Sequence, residues 1–539
     1  MTRTDTDPWY CTLASDSYEQ ARREFEWSLP EDYNLAYDLL RKHADPDRPA
    51  LYQASPDGRR ETYTFGDLDR LSNRVANALE ARGIGRGDRV GVVVPQKPEN
   101  ALTHLACWKI GAISLPLSPL FGPDALSHRL TDSGARVVVA DASVREALEE
   151  VEDDSALEHT VFVDGSGDDS FESMIENRSA EYAITDTDAE TPAIIMYTSG
   201  STGPPKGVLH SHGVWVGHCP AFSMYFELDV DGTYWTPADW AWIGALGDLL
   251  FPAWHYGQPV VGSPLGKFSP EEAFSLMEEF DVTGAFLPPT AIRMMMEVDS
   301  NRYDLSIEAI CSGGEPLTPE ILEWADEELG GVPVNELYGQ TEANLLVTNC
   351  REWFPARAGS MGKPVPGHDV RVIDPGTGEE RPTGEVGEIS VRRGGDPVVF
   401  HEYWNRPKRT DEACVGPWHR TGDLGYADEE GYLWFKSRDD DLIITSGYRV
   451  GPREVEEVLL DHEAVAQVGV IGVPDETRGE IVKAVVQPVG DGSDQLREEL
   501  RDLVRDRLAK YEYPREIEFR EELPQTTTGK IRRKDLLEE

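Results

Sequence analysis

Short apolar runs that alternate with helical stretches constrain this chain more than any other property of it. From Arg89 the order reads strand, helix, strand: Val90–Val94, then Pro98 to about Ile110, then Ile113–Pro116. Further short apolar runs recur at Arg136–Ala140, Thr160–Asp164, Ala193–Tyr197, Gly284–Leu287 and Ile307–Cys311, several of them separated by helical segments. Parallel neighbours need a crossover long enough to hold a helix, so the alternation predicts an α/β protein with layered, mostly parallel sheets. Between His368 and Arg392 the texture changes. Asp369–Ile373 and Gly387–Val391 flank a Pro-Gly-Thr-Gly turn region, which predicts a small β subdomain over about 360–436. A compact α+β pattern follows: a helix over Pro452–Leu460, strands near Val465–Val473 and Ile481–Val489, and an amphipathic helix from about Asp494 to Leu508. A chain of 539 residues exceeds one core. The expected division is a large N-terminal domain, 1–438, and a small C-terminal domain, 439–539.

Into this pattern is set the segment Tyr197-Thr-Ser-Gly-Ser-Thr-Gly-Pro-Pro-Lys-Gly207, entered from the apolar run Ala193–Met196. A glycine- and hydroxyl-rich loop after a buried strand presents N–H groups and hydroxyls to one point, and a lysine adds charge there: a phosphate cradle. It lacks the Gly-Lys-Ser/Thr of a Walker A loop, which argues against an ordinary P-loop NTPase. A solvated surface loop is the bland alternative, but three glycines, four hydroxyls and a Pro-Lys-Gly stop exceed what a turn needs.

Further motifs follow: Ser312-Gly-Gly-Glu-Pro316, Tyr338-Gly-Gln-Thr-Glu342, Trp418-His-Arg-Thr-Gly-Asp423, Ser437-Arg-Asp-Asp-Asp441, Gly447-Tyr-Arg449 and Thr528-Gly-Lys530. Together with the loop, and in this order, they resemble the adenylate-forming superfamily, and the form Tyr338–Glu342 resembles medium-chain acyl-CoA synthetases. The resemblance runs from about Phe65 onward. It implies ATP-dependent activation of a carboxylic acid to an acyl-adenylate, then transfer to coenzyme A, with a small C-terminal domain rotating about a hinge at Asp440.

The resemblance also implies roles. Lys206 with Thr198, Ser199, Gly200, Ser201, Thr202 and Gly203 would hold phosphate, Thr341 would contact it, and Glu342 would hold Mg²⁺. A hard cation wants oxygen ligands and keeps several waters, so one carboxylate is enough. Gly313, Gly314, Glu315 and Pro316 would face adenine, with Tyr338, Gly339 and Gln340 beside the nucleotide. Asp423 and Arg438 would meet the ribose, although Ser437 stands where the family commonly has glycine. Arg449 would neutralise phosphate, Gly447 and Tyr448 would flank coenzyme A, and Lys530 would bridge the substrate carboxylate and the α-phosphate. The run Gly529–Lys534 holds four basic residues in six, in an acidic chain; its bland reading is a frayed basic tail. Trp240, Trp242 and Gly244 match the acyl-pocket segment, with plain core aromatics the alternative for the two tryptophans. Acetate-specific members carry a tryptophan at the position of Gly339. Its absence here is expected to open room for several methylenes, each worth about 0.8 kcal/mol when buried. That favours a short- to medium-chain fatty acid. Acetate, propionate or an aryl acid are alternatives, as are a freestanding adenylation enzyme loading a carrier protein and a non-catalytic nucleotide-binding regulator.

Composition narrows the partners. No run approaches a membrane span, and the polar, acidic N-terminus lacks the layout of a secretion signal, so a soluble cytoplasmic enzyme is expected. Six scattered cysteines without CxxC spacing give no support to disulfides or a zinc site. With 99 acidic against 51 basic residues, net −48, there is no basic stripe for nucleic acid. Only 12 of the 51 basic residues are lysine, a balance that resembles salt-accumulating halophiles. His210 and His212 alternate on the strand after the loop; with no third ligand in reach by sequence, a structural role is expected over a metal pair.

Overall fold

The computed structural model describes the chain except residues 1–10, 14, 150, 152–155, 166–169, 199–204, 265, 315–316, 439–442, 446–447, 476–478, 508–511, 526–530 and 538–539. It is a mixed α/β protein with a large N-terminal part and a smaller C-terminal one. Two compact units emerge, residues 1–370 with 391–419, and residues 371–390 with 420–539.

The first unit carries two sheets. One has seven strands, with His159–Phe162, Val137–Ala140, Arg89–Val93, Ile113–Pro116 and Pro192–Thr198 parallel, then Lys206–Ser211 and Glu402–Tyr403 antiparallel at the edge. The other has nine strands, with a parallel centre from Pro49–Ala54 to Val334–Gln340 and antiparallel strands at both edges. The central strands are buried along nearly their whole length, Arg89 alone of Arg89–Val93 being half-buried, as expected of two-sided parallel strands. Local chemistry sets the helices. Thr64 and Asp67 form a reciprocal capping box on Phe65–Glu80, worth about 1 kcal/mol. Pro98–Ile110 opens on proline and closes on Gly111 at φ 72°, and it is apolar on nearly every side because it is buried on nearly every side. No helix among the described residues is long and apolar enough to cross a membrane.

The second unit holds most of a five-stranded sheet (Val370–Ile373, Gly387–Arg392, Trp418–Ala427, Cys414–Val415, Leu433–Arg438). It also holds an α+β body around Val465–Asp475 and Gly479–Pro488, with helices Pro452–Leu460 and Asp494–Arg507. Leu433–Arg438 pairs with Trp418–Ala427, and the Arg453 guanidinium lies 5.0 Å over the Phe435 ring. The expected hinge, Asp440, lies outside the described residues.

Candidate active site

Two of the motifs are hairpin turns at the places where a parallel sheet turns antiparallel. Pro192–Thr198 runs into Lys206–Ser211, with Thr198 opposite Lys206; the loop residues Ser199–Gly203 between them lie outside the described set. Val334–Gln340 likewise pairs with Ala343–Thr348, and Thr341-Glu342 form the two-residue turn between Gln340 and Ala343. The phosphate-type loop is therefore followed by a strand rather than a helix, so its lysine sits at a strand start.

One segment ties the two turns together. Val399 bridges Ala343, and Phe400 N–H donates to the Glu342 carbonyl at 2.9 Å. Three residues on, Tyr403 pairs with Val208, and Trp404 N–H donates to the Gly207 carbonyl at 2.8 Å. Tyr403 is the hub. Its hydroxyl donates to Glu342 Oε1 at 2.7 Å, and Lys206 Nζ stands 4.1 Å from the ring centroid. A cation and a buried carboxylate are thereby set around one phenol. Glu342 is buried, and among the described residues it forms no ion pair. Sequence reasoning missed Tyr403, because a two-residue strand has no periodicity to read.

Around this hub the supports are neutral. His210 Nε2–H donates to the Thr341 carbonyl at 2.7 Å, and burial lowers the imidazole to about 3. His212 goes elsewhere, accepting from Leu35 N–H at 3.1 Å, so the two histidines have separate partners. His419 Nε2–H donates to Gln340 Oε1 at 3.2 Å. The loop's roots are also held: Tyr197 donates to Asp132 at 2.8 Å, and His128 to the Pro205 carbonyl at 3.0 Å.

The glycines have structural reasons of their own. A Cβ at Gly313 would stand 2.3 Å from Leu337 Cδ1 on the neighbouring strand, and Gly314 has φ +91°. Glu315 and Pro316 lie outside the described residues. At Gly339 a Cβ would come within 2.2 Å of Asn344 Oδ1. The room that the missing side chain was expected to open is therefore taken on that side by Asn344, whose amide donates to Asp248 Oδ1 at 2.6 Å. Asp248 also lies 3.3 Å from His218 Nδ1; burial pushes the carboxyl well up and the imidazole down, so this contact joins neutral groups. Gly244 faces Phe286 and Asp248. Trp240 is fully buried with its ring tip near the backbone of Gly262, whereas half-buried Trp242 meets Phe121 edge-on at 5.8 Å.

In the second unit Asp423 and Arg438 stand directly opposite each other on paired strands, and Asp423 is buried. Tyr448 and Arg449 lie on Tyr448–Val450, opposite Thr445 and Ile444; of their side chains nothing is described. Gly447 and Lys530 fall outside the described residues.

Fold and site define a layered α/β protein with a lysine and a buried carboxylate brought to one tyrosine at two strand turns. A family model described as AMP-binding enzyme matches residues 40–404, and one described as AMP-binding enzyme C-terminal domain matches 454–530. The chain is 36% identical over 549 residues to the acetyl-coenzyme A synthetase of Bacillus subtilis (strain 168), covering 96% of this chain and 94% of that protein. It is 34% identical to acyl-coenzyme A synthetase ACSM4, mitochondrial, of Rattus norvegicus, over 97% of this chain and 93% of that one. The crystal structure of ATP-bound MatB from Rhodopseudomonas palustris matches with a TM-score of 0.83 at 29% identity, covering 94% and 98% of the two chains. The chain belongs to the AMP-binding enzyme family, and within it to the acid–thiol ligases that form acyl-coenzyme A.

Proposed function

We propose that this enzyme activates a short- to medium-chain fatty acid with ATP, releasing pyrophosphate, and passes the acyl group to coenzyme A with release of AMP. The observation that carries the reading is the convergence of Lys206 and Glu342 on Tyr403 at the two motif turns. Joining two anions requires that the triphosphate be neutralised and the carboxylate be held in line with the α-phosphorus. Lys206 and the hydroxyls of the loop would bind phosphate. Glu342 would hold Mg²⁺, which its buried carboxylate, oriented by Tyr403, fits; the ion would supply charge neutralisation on the phosphates. Asp423 with Arg438 would take the ribose hydroxyls, since a carboxylate suits two vicinal donors. Lys530 would serve the first half-reaction, Asp440 would be the hinge, and Gly447 would lie beside coenzyme A. A cytoplasmic setting at high salt belongs to the same proposal.

A second reading, acetate or propionate, is favoured by Asn344, which fills the Cβ side of Gly339, and by the Bacillus subtilis relative. ATP–pyrophosphate exchange with a series from acetate to decanoate, plus benzoate, decides between them. A maximum between butyrate and octanoate is expected; a maximum at acetate would overturn the first reading. CoA-dependent AMP release separates it from a carrier-loading enzyme. Lys530→Ala should abolish acyl-adenylate formation and largely spare thioester formation from supplied acyl-adenylate.

A further inference from the structure

Far from these turns in sequence, four segments of the first unit bring a polar cluster into the core. Cys11 comes from the N-terminal segment, Cys219 from helix Val214–Tyr225, and His255 from the end of helix Phe251–His255. Asp38 comes from the short π-helix Tyr37–Arg41. Cys11, Cys219 and His255 are fully buried, and their Sγ, Sγ and Nε2 atoms all lie within 4.8 Å of one another. Nothing in the proposed reaction uses them.

We propose that Cys11, Cys219 and His255 bind a thiophilic d¹⁰ metal ion, zinc above all, as a structural site that fixes the N-terminal segment to the core. Three observations carry this. First, the spans suit an ion. Zinc sits about 2.3 Å from thiolate sulfur and about 2.0 Å from imidazole nitrogen, so tetrahedral ligand atoms lie roughly 3.5–3.8 Å apart. Cys11 Sγ is 3.5 Å from His255 Nε2. Second, the histidine is oriented as a ligand. Its Nδ1 lies 2.7 Å from Asp38 Oδ2 and 2.8 Å from Lys42 Nζ; a metal on Nε2 would fix the ring proton on Nδ1 and direct it to the carboxylate, the usual arrangement behind a metal-bound imidazole.

Third, the charges close. Asp38 also accepts from Lys42 Nζ at 2.7 Å, and that Nζ lies 2.8 Å from His255 Nδ1. The Asp38–Lys42 pair balances in charge, as does a divalent ion with two thiolates. Binding forms two sulfur–metal bonds and one nitrogen–metal bond and releases the two thiol protons to solvent. Tyr256 Oη lies 3.6 Å from Cys11 Sγ and 3.1 Å from Ser223 Oγ. Soft sulfur ligands select zinc or cuprous ions over Mg²⁺.

The test uses the full chain, purified under reducing conditions in molar salt so that surface carboxylates release weakly held cations. About one zinc per chain should survive dialysis. Cobalt substitution should give a near-ultraviolet thiolate-to-metal charge-transfer band, which carboxylate-bound cobalt cannot produce. Cys11→Ser should lose both signals. Asp38→Asn should retain the band but weaken zinc binding about 10- to 100-fold. Should Cys11→Ser fail to fold, the cobalt band of the unaltered chain and the Asp38→Asn titration still decide. Two results would overturn the site: no charge-transfer band in the reduced full chain, or a Cys11–Cys219 disulfide in the native mass. Neither touches the acyl-CoA synthetase reading, which ATP–pyrophosphate exchange tests separately.

Discussion

Tyr403 does two jobs with one ring: its hydroxyl orients Glu342, and its face carries Lys206. Tyr403→Phe separates them, because the ring stays and the hydrogen bond goes. A hydrogen bond to a charged group is worth about 1.5–3 kcal/mol, so exchange activity should fall roughly 10- to 100-fold with a raised Mg²⁺ requirement. The melting temperature should move little. An unchanged Mg²⁺ dependence would remove Tyr403 from the positioning of Glu342. A second residue-scale effect belongs to Asp239, beside the tryptophan segment. Burial raises its carboxyl to about 6, opposed by the Ser118 hydroxyl, which donates at 2.6 Å. Because the folded pKa exceeds the unfolded 3.8, the folded state holds the proton longer. The associated stability is present below pH 3.8 and lost as pH rises through 6. Ionisation therefore costs at most about 3 kcal/mol, less for a carboxyl that keeps some solvent. Asp239→Asn should raise the melting temperature at pH 8 and leave it nearly unchanged near pH 4; equal shifts at both would refute this.

At the scale of elements, the tight strand crossing at Gly339 is the sharpest constraint. Any Cβ there meets Asn344 Oδ1, which Asp248 holds in place. Overpacking of this kind costs about 1–3 kcal/mol. Gly339→Ala should destabilise by that amount, and in an Asn344→Ala background the cost should shrink by about 1 kcal/mol or more in a denaturant double-mutant cycle. Additive effects would mean that the two residues do not compete for this space. The sequence view of Gly339 counted the side chain removed and could not see Asn344, the neighbour that stands against its Cβ side. Element bounds fared better where punctuation was strong: Pro98–Ile110 and Pro452–Leu460 run as expected, each opening on proline. The order of motifs was equally legible. The clamp over 399–404 was not, since its pairing is set by two distant hairpins, and neither was the cluster at Cys11, whose ligands meet only through packing.

At the scale of the molecule, two electrostatic terms act in different pH ranges. His104, His210, His212, His218 and His419 are buried, and burial lowers each to about 3. Their folded pKa lies below the unfolded 6.5, so the unfolded chain binds protons first and stability is lost as pH falls from 6.5 toward 3. Each contributes up to about 1.4 kcal/mol per pH unit, so the five together can consume an ordinary 5–15 kcal/mol margin within about two units. Cooperative unfolding near pH 5, followed by tryptophan fluorescence, is expected; a native signal persisting at pH 4 would contradict it. At neutral pH the other term rules. Exposed pairs such as Arg501–Glu498 and Arg505–Asp502 are worth a few tenths of a kcal/mol each and weaken in salt. Against them stand 99 acidic and 51 basic residues, a net charge of −48. Their repulsion reaches about 10 Å at 0.1 M salt but only about 3 Å at 1 M. Repulsion outweighs the pairs, so salt should stabilise. The melting temperature should rise by at least about 10 °C between 0.1 and 2 M KCl, with activity rising in parallel. The chloride series must be matched by a low-salt arm with an uncharged osmolyte at equal water activity. Equal stabilisation in both arms would assign the effect to hydration and not to screening of the acidic surface.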